Sequence, residues 1–241
     1  MKKWRVAVLA AAVGGHLAAY SGDAQCVSAG ESKRIDEAVV RLVGRGFSGS
    51  VLVARHESVI LHEGYGWLDR AHTLRVSPDT KFYIASISKQ FAAAAILRLQ
   101  EQGRLTVGDL INKYLTGVPA DKAAITIHSL LTHTSGLGQA YAADGITNRD
   151  EAVRRVLAAP FKVKPGTFNY TNDGYSLIAA IVEVAAQQPF ETYLREQILR
   201  PAGLTSTGFW ADPLRAAEPQ IAPTLKVIHA VANWGDRKSV V

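Results

Sequence analysis

Ser86-Ile87-Ser88-Lys89 sets a hydroxyl nucleophile and an amine three residues apart, just ahead of the apolar run Gln90–Leu97. Side chains at i and i+3 on a helix lie one above the other. The spacing therefore predicts both groups on one face at the start of a helix running to about Gln102 and stopped by Gly103. A serine hydroxyl is a weak nucleophile until a neighbouring base takes its proton, and a desolvated lysine can be that base. A helix N-terminus adds free N–H groups and partial positive charge, which favour an oxyanion forming beside Ser86. Alone, so short a pattern is only a hypothesis.

A second polar constellation lies well downstream, Phe168-Asn169-Tyr170-Thr171-Asn172-Asp173-Gly174-Tyr175, ahead of an apolar helical run. A phenol near an ammonium is stabilised as phenolate and can shuttle protons to a leaving group. A carboxamide such as Asn172 can bond both a lysine and the carbonyl side of an acyl substrate. The residues also fit a plainer role, Tyr170 as packing and Asn172 as a helix N-cap.

These residues must be positioned by the elements around them. Apolar residues Ile35, Ala38, Val39 and Leu42 predict a helix over Glu31–Gly44. Ser48–Ala54 and Val59–Tyr65, split by Arg55-His56-Glu57-Ser58, read as an antiparallel hairpin. From Leu105 onward the pattern predicts short helices at Val107–Leu115, Thr126–Thr132, Asn148–Ala159, Asn172–Ala186 and Pro189–Leu199. A sheet-bearing part (about 31–85 plus whatever follows 210) with a helical lobe inserted at about 105–205 is the expected layout. It puts Ser86 where two parts of the chain join, a preferred place for small-molecule sites.

The 241 residues suffice for a sizeable core, and 20% charged residues argue against disorder. Part of the net charge of +6 sits in the leader, at Lys2, Lys3 and Arg5; the rest is scattered, without the basic stripe that nucleic-acid binding needs. The positive start, the apolar Val6–Val13 and the small residues after it predict a secretory signal peptide over residues 1–24, cleaved after Ala24 or alternatively after Ala29. Export to the periplasm or the medium of a bacterium is the matching expectation, with no stable membrane span once the signal is removed. Cys26 is the sole cysteine, so no intrachain disulfide forms and no thiolate metal cluster can be built. The histidines show no metal-ligand spacing and no Gly-rich phosphate loop is present, so no metal and no cofactor is expected.

As a whole the chain resembles the serine β-lactamase/penicillin-binding-protein-like family, in its class C β-lactamase-like branch, which includes DD-peptidases and carboxylesterases. The resemblance rests on Phe82–Phe91 around Ser86 and Lys89, on Leu130-Leu131-Thr132-His133-Thr134-Ser135-Gly136-Leu137, and on Tyr170–Tyr175, in that order. The hairpin and Pro201–Thr207 also fit, so the likeness spans about residues 32–210. It implies an α/β (α+β type) fold of the β-lactamase/transpeptidase kind, an antiparallel sheet flanked by helices with an inserted all-helical lobe. It also implies that Ser86 attacks a carbonyl to give an acyl-enzyme, that Lys89 and Tyr170 share the proton traffic, and that Asn172 orients substrate and lysine. Which of Lys89 and Tyr170 is the base stays open. His133 invites a Ser-His reading, but the resemblance places it in a structural turn, and it is left out of the catalytic set. The implied substrate is a small molecule or peptide: a β-lactam, a D-amino-acid peptide or a carboxylic ester.

The family's third element, a Lys-Thr-Gly or His-x-Gly triplet on a strand lining the site, is not found from Tyr175 to Val241. The strand that bears it normally supplies a second oxyanion N–H, and losing one such donor costs about 10²–10³-fold in rate. The sheet is accordingly expected to be incomplete at the C-terminus, and residues 30–241 to form a single, truncated domain of a longer hydrolase. The alternative is a catalytically impaired homologue that binds penicillin-like or peptide ligands without turnover.

Overall fold

The computed structural model describes residues 29–55, 58–139, 143, 146 and 148–209. The expected signal peptide and the region after Trp210 lie outside the described residues. The chain divides into two compact units between Tyr83 and Ile84.

The first unit holds α1 (Ala29–Val43), β1 (Gly49–Arg55) and β2 (Ser58–Tyr65). The strands pair antiparallel from Gly49 opposite Tyr65 to Arg55 opposite Ser58, with a bulge at Val53/Ala54. They are the two strands in the sheet among the described residues. Helix α1 packs on β2 and is tied to both strands. The Arg55 guanidinium donates twice to Glu31, at 2.9 and 3.0 Å, and the Tyr65 hydroxyl donates to Asp36 at 2.7 Å.

The second unit is helical. It comprises a tight 3-10 turn at Ala85–Ser88 followed by α2 (Lys89–Glu101), α3 (Ile127–Leu131), α4 (Arg149–Ala158), α5 (Asn172–Ala186) and α6 (Phe190–Leu194), the last continued by a wider π-type turn at Arg195–Leu199. The Ser86 helix thus packs as part of the helical unit. At the centre is α5, whose Leu177–Val182 run is fully buried, as a helix apolar on all sides must be. Against it α2 presents Ala92, Ala95, Ile96 and Leu99, all fully buried at helical spacing. Each Leu or Ile so placed contributes about 1.5–3 kcal/mol. This packing fixes the first turns of α2 and α5 relative to each other.

The predicted helix over Val107–Leu115 is not formed; only a 3-10 turn at Ile111–Lys113 appears. The backbone is engaged elsewhere. Ile111 N–H donates to Ile125 C=O, while Ile127 and His128 N–H donate to Asp109 and Val107 C=O, so Leu110 is extended and bridges to Thr126. The Asp109 carboxylate also takes the Thr106 N–H at 2.9 Å, stabilising a turn where the helix would begin. No helix of the described residues is long and apolar enough to cross a membrane.

Candidate active site

Lys89 is buried because of its place on α2: it shares the stripe of Ala92, Ile96 and Leu99, one turn earlier. A lysine at a core position faces packing partners instead of water, and here it faces the first residue of α5. Its ammonium donates to Asn172 Oδ1 at 2.6 Å and to Ser86 Oγ at 3.2 Å. It also sits 4.9 and 5.5 Å from the ring centres of Tyr170 and Tyr175. Lys89 and Asn172 are 6% and 7% exposed. Among the described residues no carboxylate pairs with Lys89, so its charge is directed at oxygen lone pairs and aromatic faces. A cation held in that way stabilises negative charge developing on a neighbouring oxygen.

Ser86 is exposed at the surface, within reach of a molecule from solution. The 3-10 turn that carries it brings residues i and i+3 into register more closely than an α-helix does. Ala85, just before it, takes a left-handed φ of 46°, a conformation that non-glycine residues adopt at a cost of about 1–3 kcal/mol. The buried Ser88 hydroxyl donates to the Ala85 carbonyl and holds the turn closed. The first backbone bond of the turn runs from Ile87 N–H to Ile84 C=O, which leaves the Ser86 N–H ahead of the ladder.

The Tyr170 hydroxyl lies 2.6 Å from Ser86 Oγ, across 84 residues of sequence. Its loop is held in strand-like fashion on the turn after α3. Asn169 N–H donates to the His133 carbonyl at 2.8 Å, and Asn169 Nδ2 to the Leu137 carbonyl at 2.8 Å. Thr171 N–H donates to His133 Nδ1 at 3.2 Å, and Thr171 Oγ1 to the Gly138 carbonyl at 2.6 Å. Residues 169 and 171 thus face the scaffold, and Tyr170 between them reaches Ser86, as alternation along an extended segment requires.

Thr171 also resolves the two readings of Asn172. Its hydroxyl accepts the Gly174 N–H and caps α5, so the carboxamide of Asn172 is left for the lysine. Asn172, Lys89, Ser86 and Tyr170 are therefore linked, in that order, in one hydrogen-bonded chain.

Three supporting residues were not evident from sequence. Tyr175, whose hydroxyl donates to the Leu131 carbonyl at 3.0 Å, walls the lysine; burial pushes its phenol up. Ser88 latches the turn that carries Ser86. His133, set aside above, packs its ring 4.6 Å from Tyr170 and 5.1 Å from Tyr175. It makes no bond to Ser86 among the described contacts, so a Ser-His pair is not the arrangement here. Burial, helped by the charge of Lys89, pushes its imidazole below the ordinary histidine value.

The model of the Beta-lactamase family matches residues 35–239. PbpX of Bacillus subtilis (strain 168), a protein with a penicillin-binding name, is 34% identical over 165 residues, covering 68% of this chain and 42% of its own length. An octameric penicillin-binding protein homologue from Pyrococcus abyssi superposes with a TM-score of 0.67 at 26% identity, over 79% of this chain and 46% of that one. A β-lactamase/D-alanine carboxypeptidase structure from Pseudomonas syringae gives a TM-score of 0.72 at 22% identity, over 87% and 61% of the two chains, a likeness of fold. The chain spans less than half the length of the first two of these proteins. The β-lactamase/transpeptidase-like fold read from the sequence is the one these structures share.

Proposed function

This chain belongs to the Beta-lactamase family, and from that premise we propose that it encodes a serine hydrolase site working through an acyl-enzyme on Ser86. The observation that carries the reading is the double approach to Ser86 Oγ, by Lys89 Nζ at 3.2 Å and by the Tyr170 hydroxyl at 2.6 Å. In the first step Ser86 Oγ adds to an ester or amide carbonyl carbon while its proton passes to the unprotonated member of the Lys89–Tyr170 pair, either a neutral Lys89 amine or a Tyr170 phenolate beside the Lys89 ammonium. The carbonyl oxygen becomes an oxyanion, and the Ser86 N–H, ahead of the turn's backbone ladder, is the donor proposed for it. On collapse the bond to the leaving group breaks, and Tyr170, the exposed member of the pair, hands that group the proton. Water then repeats the sequence on the acyl-enzyme, with the acid product leaving and Ser86 regaining its hydrogen.

Asn172 holds the lysine in place throughout, and a carboxamide can also bond the carbonyl side of an acyl substrate. The substrate class proposed is a β-lactam, a D-amino-acid peptide or a carboxylic ester, since all three share this first half-reaction. Export of the chain from a bacterium, on the strength of its leader, is part of the same proposal. The second oxyanion donor that the family resemblance assigns to a later strand is not among the described residues, so turnover by this chain is what needs measuring.

The test is hydrolysis of a p-nitrophenyl ester, of nitrocefin and of a D-Ala-D-Ala peptide by the chain and by Ser86→Ala. Turnover of at least one substrate, abolished in Ser86→Ala, supports the proposal. Turnover that survives the substitution, or none on any substrate together with no acylation, overturns it.

A further inference from the structure

His133 occupies a position that neither the proton relay nor the helix packing requires. Its backbone sits at φ 59°, a left-handed conformation that favours His and Asn over bulkier residues. Its carbonyl takes the Asn169 N–H and its Nδ1 takes the Thr171 N–H, one contact on each side of Tyr170. Its ring packs at a 35° tilt against Tyr170, with the ring centres 4.6 Å apart. Because the Thr171 N–H is a fixed donor, Nδ1 must be an unprotonated acceptor, and a neutral ring then carries its hydrogen on Nε2.

We propose that His133 is a positioning residue that works only as the neutral Nε2–H tautomer, holding Tyr170 against Ser86 through the Thr171 N–H and its own ring. Protonation at Nδ1 turns the acceptor into a donor facing a donor. It also places a cation beside Lys89. The Thr171 bond opens, and Tyr170 loses its fixed approach to the nucleophile. The titratable groups facing the ring are Lys89 from α2, Tyr170 from the loop and Tyr175 from α5, and among the described residues no carboxylate pairs with it. Nothing there stabilises an imidazolium, and burial together with the lysine opposes it. Of these side-chain types histidine is the one whose charge ordinarily changes in mildly acidic solution. The acid limb of acylation is thus assigned to a residue that does not touch substrate.

The kinetic consequence rests on the acyl-enzyme reading, while a spectroscopic one does not. In the full chain labelled with ¹⁵N, the imidazole is expected to show the Nε2–H tautomer at neutral pH. It should titrate below 6.5, the ordinary histidine value, with the Thr171 amide signal moving in the same transition. A ring with its hydrogen on Nδ1, or a titration that leaves the Thr171 amide unmoved, overturns the proposal whether or not the chain is an enzyme. His133→Asn keeps an acceptor near the Nδ1 position, tolerates the backbone and cannot titrate. With an activated ester, H133N keeps the Thr171 bond but loses the ring against Tyr170, so its acylation rate at neutral pH is expected to lie between those of the parent and His133→Leu, with the acid limb removed. His133→Leu should lose about 10-fold or more in kcat with little change in KM, the size of one lost hydrogen bond. An acid limb unchanged in H133N overturns the proposal. Should the chain acylate with nothing, the function proposed above fails, and the NMR titration alone decides the role of His133.

Discussion

Replacing Asn172 separates a role in the proton relay from a role in packing, because activity and stability should move in opposite orders. In the native site Asn172 Oδ1 accepts from the Lys89 ammonium at 2.6 Å, with both groups more than nine-tenths buried. Asn172→Ala deletes this bond. Hydrogen bonds to charged groups are worth about 1.5–3 kcal/mol, so a lysine left with Ser86 and two rings should lose about 10–150-fold in acylation rate. Asn172→Asp keeps the shape but puts a carboxylate in the same place. At 2.6 Å and an effective dielectric near 20 the attraction is about 6 kcal/mol before desolvation is counted. Such a pair holds Lys89 as an ammonium and cancels its field at Ser86. If the lysine is the base it is silenced; if Tyr170 is the base, it loses the cation that stabilises its phenolate. Either way Asp should be slower than Ala. Stability should run the other way, since Asp is isosteric, lies in the first turn of α5 where an acid suits the helix dipole, and gains an ion pair. The assay is the pre-steady-state acylation rate with an activated ester, beside thermal unfolding of the three chains. An Asp variant as fast as or faster than Ala would refute the reasoning and reduce Asn172 to packing.

Tyr170→Phe keeps the ring over Lys89 and against His133 and removes only the oxygen 2.6 Å from Ser86. Its kcat should fall by about 10²–10⁴-fold with unfolding unchanged; a loss under 3-fold in steady-state assays removes Tyr170 from the relay. Thr171→Val strands the Gly138 carbonyl and uncaps α5, so denaturant titration should show a loss of about 1–3 kcal/mol. Gly136 stands at φ 86°, where an added Cβ would lie 2.9 Å from the Phe161 ring and the Val163 carbonyl. Gly136→Ala should therefore cost about 1–3 kcal/mol in the same titration and lower activity through the turn that anchors Tyr170.

Local features of the site were legible in the sequence. The Ser86–Lys89 spacing could be read because both residues lie in one turn, and the span of α5 from the amphipathic pattern of Asn172–Ala186 around its apolar Leu177–Val182 run. The hairpin appears within a residue of its expected ends, at Gly49–Arg55 and Ser58–Tyr65. Asn172 could not be assigned from residue type, since Asn suits a cap as well as a ligand; the choice was made by the neighbouring Thr171 hydroxyl. Val107–Leu115 has a helical pattern that lost to backbone bonds with Ile125–His128, which no local window contains. His133 meets Thr171 across 38 residues, and Ala85 adopts a left-handed backbone that an alanine does not advertise. What the sequence withheld is the long-range bonding that turns nearby residues into a site.

The central claim is that Ser86 is the acylated atom's residue, with its exposed hydroxyl activated from two sides. The most direct measurement is intact-mass analysis of the full chain after brief exposure to a fluorescent penicillin or an activated ester, followed by peptide mapping. The account predicts a single adduct of the acyl mass on Ser86, absent from Ser86→Ala and retained by Ser88→Ala, since the Ser88 hydroxyl is buried and committed to the Ala85 carbonyl. An adduct on Ser88, on Lys89 or elsewhere, or one that persists in Ser86→Ala, would contradict it.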